Sequence, residues 1–140
     1  MPRSKRTIVT IITLVVAIPA FFLGPQIWSP VVAPPGTLIP FYAFLAAIEA
    51  LLLGLGVCFL IWGFSLVWRV FPGSRMLAFL VYLSIGWQLV SWWPHDNLHA
   101  HIGMDFQKLL GIEYGFHLTL MISSAILAYA FLKILRSLPA

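Results

Sequence analysis

Residues 40–68 have the sequence PFYAFLAAIEALLLGLGVCFLIWGFSLVW, in which Glu49 is the one charged residue. An α-helix rises about 1.5 Å per residue, so this stretch would be about 43 Å long, and the hydrocarbon layer of a bilayer is only about 30 Å thick. The apolar residues are continuous rather than alternating, which excludes a strand of an outer-membrane barrel. The stretch therefore predicts a long membrane-spanning helix that tilts or protrudes from the bilayer.

Three further stretches of the chain are apolar over about the length of a membrane span and are bounded by charge, proline or glycine. The connections between them are too short to form a soluble domain. The sequence thus predicts an all-α integral membrane four-helix bundle that is a single domain over residues 1–140. We expect its spans at residues 7–28, 40–68, 76–93 and 112–132, with a long outer loop at residues 94–111.

The composition excludes several other classes of protein. Hydrophobic residues make up 61% of the chain and charged residues 9%, whereas a soluble domain has about 25% charged residues. Disorder requires low hydrophobicity and high charge, so it is excluded as well. The eight Lys and Arg residues are scattered among apolar stretches, so nucleic acid is not an expected partner. With Cys58 as the single cysteine, the chain has no internal disulfide and no Cys-x-x-Cys motif.

The distribution of basic residues predicts the orientation in the membrane, because cytoplasmic loops retain Lys and Arg. Lys108 falls on one side of a four-span arrangement, and the other seven basic residues fall on the opposite side: Arg3, Lys5, Arg6, Arg69, Arg75, Lys133 and Arg136. We therefore expect a multi-pass protein of the cell inner (plasma) membrane with both termini in the cytoplasm. A cleaved signal peptide is disfavoured, because the first apolar stretch continues through Phe21 and Phe22 without a small-x-small cleavage site.

All four histidines lie within 23 residues near the predicted outer face. Clustering alone proves little, because histidine avoids membrane interiors. The spacing is more informative. If their segment is helical, His95 and His99 would share one face of the helix, and so would His101 and Asp105. Glu113 and His117 are also four residues apart. Imidazole and carboxylate groups suit copper, iron or zinc. The candidate metal ligands are His95, His99, His101, Asp105, Glu113 and His117.

A second group of polar residues lies inside the spans, toward the same outer side. Glu49, Gln88 and His117 predict a cofactor-binding pocket in which Glu49 and His117 form a pair and Gln88 is a hydrogen-bonding neighbour. Haem is the less favoured cofactor, because only His117 is clearly inside a span. The alternative is structural: Glu49 and His117 fix the helix register, and the other histidines are solvated.

The spacing of His95 and His99 is similar to one histidine box of the membrane fatty-acid desaturases and hydroxylases. Those families need several further boxes on the cytoplasmic side, and this chain has none there. The sequence therefore assigns the protein to no family.

Small size favours one functional hypothesis over the others. The four spans leave no room for a soluble catalytic domain, and no nucleotide-binding loop or nucleophile triad is present. We expect an accessory subunit of a larger membrane complex concerned with electron transfer, in contact with the lipid bilayer and with other membrane subunits. Two alternatives stay open: a stand-alone metal-dependent membrane oxidoreductase, and a small protein that translocates protons or solutes with Glu49 and His117. No catalytic residue is assigned.

Overall fold

A computed structural model describes residues 3–27, 35–103 and 105–137, and this part of the chain is helical with no strands. A short 3₁₀ turn, Gly36–Leu38, precedes the second helix. The α-helices are α1 (Arg3–Ile27), α2 (Ile39–Val70), α3 (Arg75–Val90), α4 (Trp92–Ile102) and α5 (Phe106–Ser137).

Several of these helices are long and apolar enough to cross a membrane. Within the described residues, three meet this criterion alone: Lys5–Ile27 in α1, Gly36–Val70, and Phe106–Ser137. Helix α3 has 16 residues and would be about 24 Å long, which is short for a span. Helices α3 and α4 meet the criterion only together and are bent by 43°, so the described residues contain three or four candidate spans. The structure confirms that the protein is all-α and has several helices that are apolar enough to span a membrane.

The segment expected as a long outer loop, residues 94–111, differs from that expectation because most of it is helical. Helix α4 ends at Gly103, whose φ of 61° is accessible to glycine at little cost. Asp105 then accepts a hydrogen bond from the backbone N–H of Lys108 in the first turn of α5. Only three residues therefore separate the end of α4 from the start of α5.

The bend between α3 and α4 has an identifiable cause in the sequence. Pro94 has no N–H, so the carbonyl group of Val90 loses its usual helical partner. Hydrogen bonding resumes directly afterwards, because the N–H of His95 donates to the carbonyl oxygen of Ser91 at 3.2 Å. The bent helix α4 then contacts α2 and α5 as well as α3.

The main helix contacts follow chain order: α1 on α2, α2 on α3, and α3 on α5. Gln88 of α3 donates hydrogen bonds to α5, including one of 2.9 Å to Ser123. Ser123 in turn donates to the carbonyl oxygen of Ser84 at 3.3 Å. These bonds join two apolar helices at a defined register, since few other polar partners exist in such surroundings.

A small buried core closes one end of the structure. Its members come from the end of α2, the start of α3 and the end of α5: Val67, Phe71, Leu77, Ala78, Val81 and Ala130. The basic residues Arg69, Arg75 and Lys133 lie beside these core residues in the chain. Glu113 and His117 lie near the start of α5, away from this core, and the other three histidines and Asp96 lie on α4, which follows the far end of α3. Arg69, Arg75 and Lys133 are thus separated from the histidines along the helix axes, whereas Lys108 lies at the histidine end of α5.

The close packing of α1 on α2 can be tested by a substitution at Gly54. A Cβ atom at Gly54 would overlap the backbone carbonyl oxygen of Thr13, whereas Gly115 on α5 has open space around the same position. We expect Gly54→Ala to destabilise the protein by about 1–3 kcal/mol through overpacking. The matched variant Gly115→Ala should be neutral or slightly stabilising, because alanine favours the helix. Unfolding midpoints of the full chain in detergent measure both effects, and equal midpoints would contradict the packing described here.

Candidate metal centre

Helix α4 presents polar side chains to three neighbouring helices. Trp93 donates a hydrogen bond from its indole Nε1 to a backbone carbonyl oxygen of α1 at 3.2 Å. Asp96 lies close to Glu49 of α2. His95 and His99 lie one helical turn apart and contact Glu113 of α5. The orientation of α4 therefore decides which polar groups meet at this end of the protein.

The carboxylate of Glu113 lies among three imidazole rings. Its Oε1 atom is 2.6 Å from Nε2 of His99 and 4.0 Å from Nε2 of His95. Its Oε2 atom is 2.7 Å from Nδ1 of His117. The Nε2 atoms of His95 and His99 are 3.1 Å apart. Four potential donor groups from two helices thus converge on one point.

Three of these groups are close enough to share a single ion. In the described ranges, His95, Glu113 and His117 each offer one donor atom, and these atoms lie within 4.8 Å of one another. Two histidines and one carboxylate with open positions form the ligand set of non-haem iron sites. Adding the imidazole of His99 gives a set that copper or zinc also accepts. The geometry is therefore compatible with each of the three predicted metals.

The surroundings of His95 hold its ring in one orientation. The ring stacks on Phe116 with centroids 3.7 Å apart and an interplanar angle of 14°. Its Nδ1 atom is 2.9 Å from Oδ1 of Asp96. When Nδ1 donates its proton to this carboxylate, the lone pair of Nε2 is directed toward Glu113 and is free to bind a metal. The buried ring is thus prepared as a ligand by two neighbours.

The cluster is open on the side of His117. Side-chain exposure is 9% for His95, 31% for His99, 40% for Glu113 and 52% for His117. A structural metal site is normally closed by its ligands, whereas a reactive one keeps an open position. An ion bound here would therefore remain accessible to an external ligand.

Two residues predicted as ligands lie outside this cluster. His101 is exposed near the end of α4. Asp105 pairs with Lys108, with Oδ2 of the aspartate 2.9 Å from Nζ of the lysine. The pKa of Asp105 is lowered, first of all by the hydrogen bond from the Lys108 side chain. Because α4 ends at Gly103, His101 and Asp105 do not share the helix face that their spacing suggested.

The predicted pair of Glu49 and His117 is not formed. Helix α4 contacts both α2 and α5, so Glu49 meets Asp96 while His117 meets Glu113. Gln88 bonds to Ser123, Ser124 and the carbonyl oxygen of Leu120 instead of to either of them. The carboxyl and imidazole groups are correctly placed at the same end of the helices, but their partners differ.

Sequence reasoning missed two residues that shape the centre. Asp96 follows His95 directly, and Phe116 precedes His117 directly. The available signal was the carboxylate beside a candidate ligand, because metal-binding histidines commonly donate their second ring N–H to such a group. No comparable signal exists for Phe116, whose contact with His95 depends on how α4 and α5 are packed.

Comparison with known proteins finds no relative: no family model, no curated protein and no solved structure matches the chain. The chemistry of the cluster therefore carries the functional argument.

Proposed function

We propose that this chain is a four-span plasma-membrane protein that binds one transition-metal ion at its outer end. The observation that carries the proposal is the carboxylate of Glu113, which contacts His99 and His117 and lies 4.0 Å from Nε2 of the buried His95. Histidines that are merely solvated have no reason to converge from two helices on one carboxylate. Copper, iron and zinc are the metals that such nitrogen and oxygen donors favour.

The proposal gives each residue of the cluster a role. His95, Glu113 and His117 are the three ligands whose donor atoms lie within 4.8 Å of one another. His99 hydrogen bonds to Glu113 in the free protein and supplies a fourth donor when an ion is bound. A bound ion would be reached by external ligands at the exposed edge beside His117, where half of the imidazole is accessible.

The proposed topology treats α3 and α4 as one bent span, so that the four helices form an up-and-down bundle with both termini in the cytoplasm. Two features support it. Successive helices pack in chain order, and Arg69, Arg75, Lys133 and Arg136 lie at the end opposite to the histidines, with Lys108 as the exception. Basic residues are retained on the cytoplasmic side, which would place the metal centre on the outside.

We further propose that the protein is an accessory subunit of a larger electron-transfer complex in the membrane. Only 17%, 22% and 17% of the residues are buried within the chain in the most apolar windows of α1, α2 and α5. The remaining surface is available to lipid and to the helices of other subunits. A copper or iron ion at the outer end would provide such a complex with a redox centre.

Metal binding is tested by elemental analysis and visible absorption of the full chain purified in detergent. We expect close to one copper, iron or zinc ion per chain. His95→Ala and His117→Ala should each lower the metal affinity more than about tenfold, since even the loss of an outer-layer partner costs 10–100-fold. His101→Ala is the control, because His101 lies outside the cluster of donor atoms. Unchanged metal content in both ligand variants, with unaltered circular dichroism, would refute the metal centre.

The topology is tested by labelling single cysteines in a Cys58→Ala background with a membrane-impermeant maleimide. Lys108 and Ser137 form a suitable pair, because both are exposed and lie at the two ends of α5. We expect Lys108→Cys to be labelled in intact cells and Ser137→Cys only after lysis. The opposite result would mean that α3 and α4 form a re-entrant segment or that the whole protein is inverted.

The subunit role is tested by affinity purification of the tagged chain in a mild detergent. We expect other membrane proteins to be recovered at fixed stoichiometry, and a redox cofactor to be present among them. A monodisperse species that contains this chain alone would argue for a stand-alone protein instead, with the metal centre unaffected by that outcome.

A further inference from the structure

We infer that the end of the protein opposite to the histidines binds the phosphate headgroup of one anionic phospholipid, in a cavity between α2, α3 and α5. The cavity has a volume of about 240 Å³ and lies where α2 ends, α3 begins and α5 ends. It is lined by residues 70–74 and by Lys133, Ile134 and Ser137 of α5. This site is independent of the metal centre.

The positive charge at this end has no counterpart within the chain. Lys133 lines the cavity, and each of three arginines adjoins a lining residue in the chain: Arg69, Arg75 and Arg136. None of the four forms an ion pair with a residue that the structure describes.

The acidic residues of the chain are too far away to neutralise these charges. There are four of them: Glu49, Asp96, Asp105 and Glu113. Glu49 lies about 30 Å from Arg69 along α2, at 1.5 Å per residue. Glu113 is equally far from Lys133 along α5, and Asp105 pairs with Lys108. An anion that neutralises this end must therefore come from outside the four side chains.

The cavity also offers donors that suit phosphate oxygens. The side chain of Lys133 is exposed and lines the cavity. The hydroxyl oxygen of Ser74 accepts a hydrogen bond from the N–H of Leu77 at 3.3 Å, and among the described residues the hydroxyl donates to none. Its hydrogen can therefore be donated to a ligand. Because a phosphodiester has acceptors only, one ammonium and one hydroxyl group match both its charge and its hydrogen bonding.

The position of the cavity favours a lipid over a soluble phosphate compound. It lies at the end of two candidate spans, Gly36–Val70 and Phe106–Ser137. Apolar surface continues from it along α2, where Val70 is 55% exposed and Leu66, one turn earlier, is 58% exposed. A site that encloses a whole small molecule measures about 300–1,000 Å³. This smaller cavity fits a headgroup whose acyl chains stay in the bilayer, as in other basic pockets between membrane helices.

Basic residues beside a span also have a simpler role, which is to orient the protein in the membrane. That role requires charge at this end but no particular place for it, so every lysine here would attract anionic lipid alike. Lys133 and Lys5 separate the two explanations. Lys5 is exposed near the start of α1, which contributes no lining residue. Trp93 of α4 bonds to the later part of α1, so Lys5 lies toward the same end as the cavity.

The test is titration of the full chain in detergent with phosphatidylglycerol, with bound lipid counted by native mass spectrometry. Phosphatidylcholine with the same acyl chains is the reference, because its headgroup has a phosphate but no net charge. One basic residue at a membrane surface contributes about 1 kcal/mol, or about fivefold in affinity. We expect phosphatidylglycerol to bind at least about fivefold more tightly than the reference. Lys133→Gln should lose about fivefold, and Lys5→Gln less than about twofold.

A second variant leaves every basic residue in place. Gly73 lines the cavity, and a Cβ atom there would meet no other heavy atom within 4 Å. Gly73→Asp thus adds a carboxylate beside the cavity without overlap, and its repulsion should weaken phosphatidylglycerol binding by about fivefold. Gly36→Asp is the matched control, because Gly36 is equally open and lies before α2, at the other end of that helix.

Four results would each overturn the lipid site. They are equal binding of the two lipids by the wild-type chain, equal losses in Lys133→Gln and Lys5→Gln, wild-type affinity in Gly73→Asp, and displacement of the lipid by excess glycerol phosphate. The last result would assign the cavity to a soluble phosphate compound. None of them bears on the metal centre, whose ligands lie at the other end of the protein.

Discussion

The structure depends on one missing hydrogen-bond donor, the absent N–H of Pro94. In a straight helix that began at Arg75, the histidines would continue along the axis of α3. Because Pro94 interrupts the helical hydrogen bonds at Val90, the axis turns by 43° and α4 contacts α2 and α5. The polar contacts between helices at the end that carries the histidines follow from this turn, since α4 contributes a partner to each of them.

An apolar environment makes these contacts mutually dependent. A polar group within or near the hydrocarbon layer is costly unless it has a partner, and water is scarce there. The structure meets this constraint with one chain of contacts that runs from α4 to α5: Asp96, His95, His99, Glu113 and His117. The same chain satisfies the buried groups and assembles the donor atoms of the candidate centre. The contacts between α4 and α5 and the geometry of the candidate metal centre thus belong to one network.

Local patterns in the sequence predicted part of the candidate site. Glu113 and His117 are four residues apart on a long helix, so they had to share a face wherever that helix packed. His95 and His99 share a face for the same reason once their segment is helical. The structure does not bring Glu49 and His117 together as the sequence suggested, because nothing in either span indicates that α4 contacts both α2 and α5. Asp105 was assigned as a ligand from spacing, but the glycine at position 103 ends the helix before that spacing can apply.

The sequence by itself determined the helical class, the apolar spans and the separation of basic residues from histidines. These properties follow from hydropathy, charge and hydrogen bonds within single helices, all of which act over a few residues. Only the tertiary structure decided which carboxyl group meets which histidine. That outcome depends on the bend at Pro94, on the rotation of α4 about its own axis and on the register of α5 against α3, which Gln88 and Ser123 fix across 35 residues of chain. A rotation of α4 by one residue position, about 100°, would turn a ligand away from the centre, so side-chain identity and spacing alone could not specify the site.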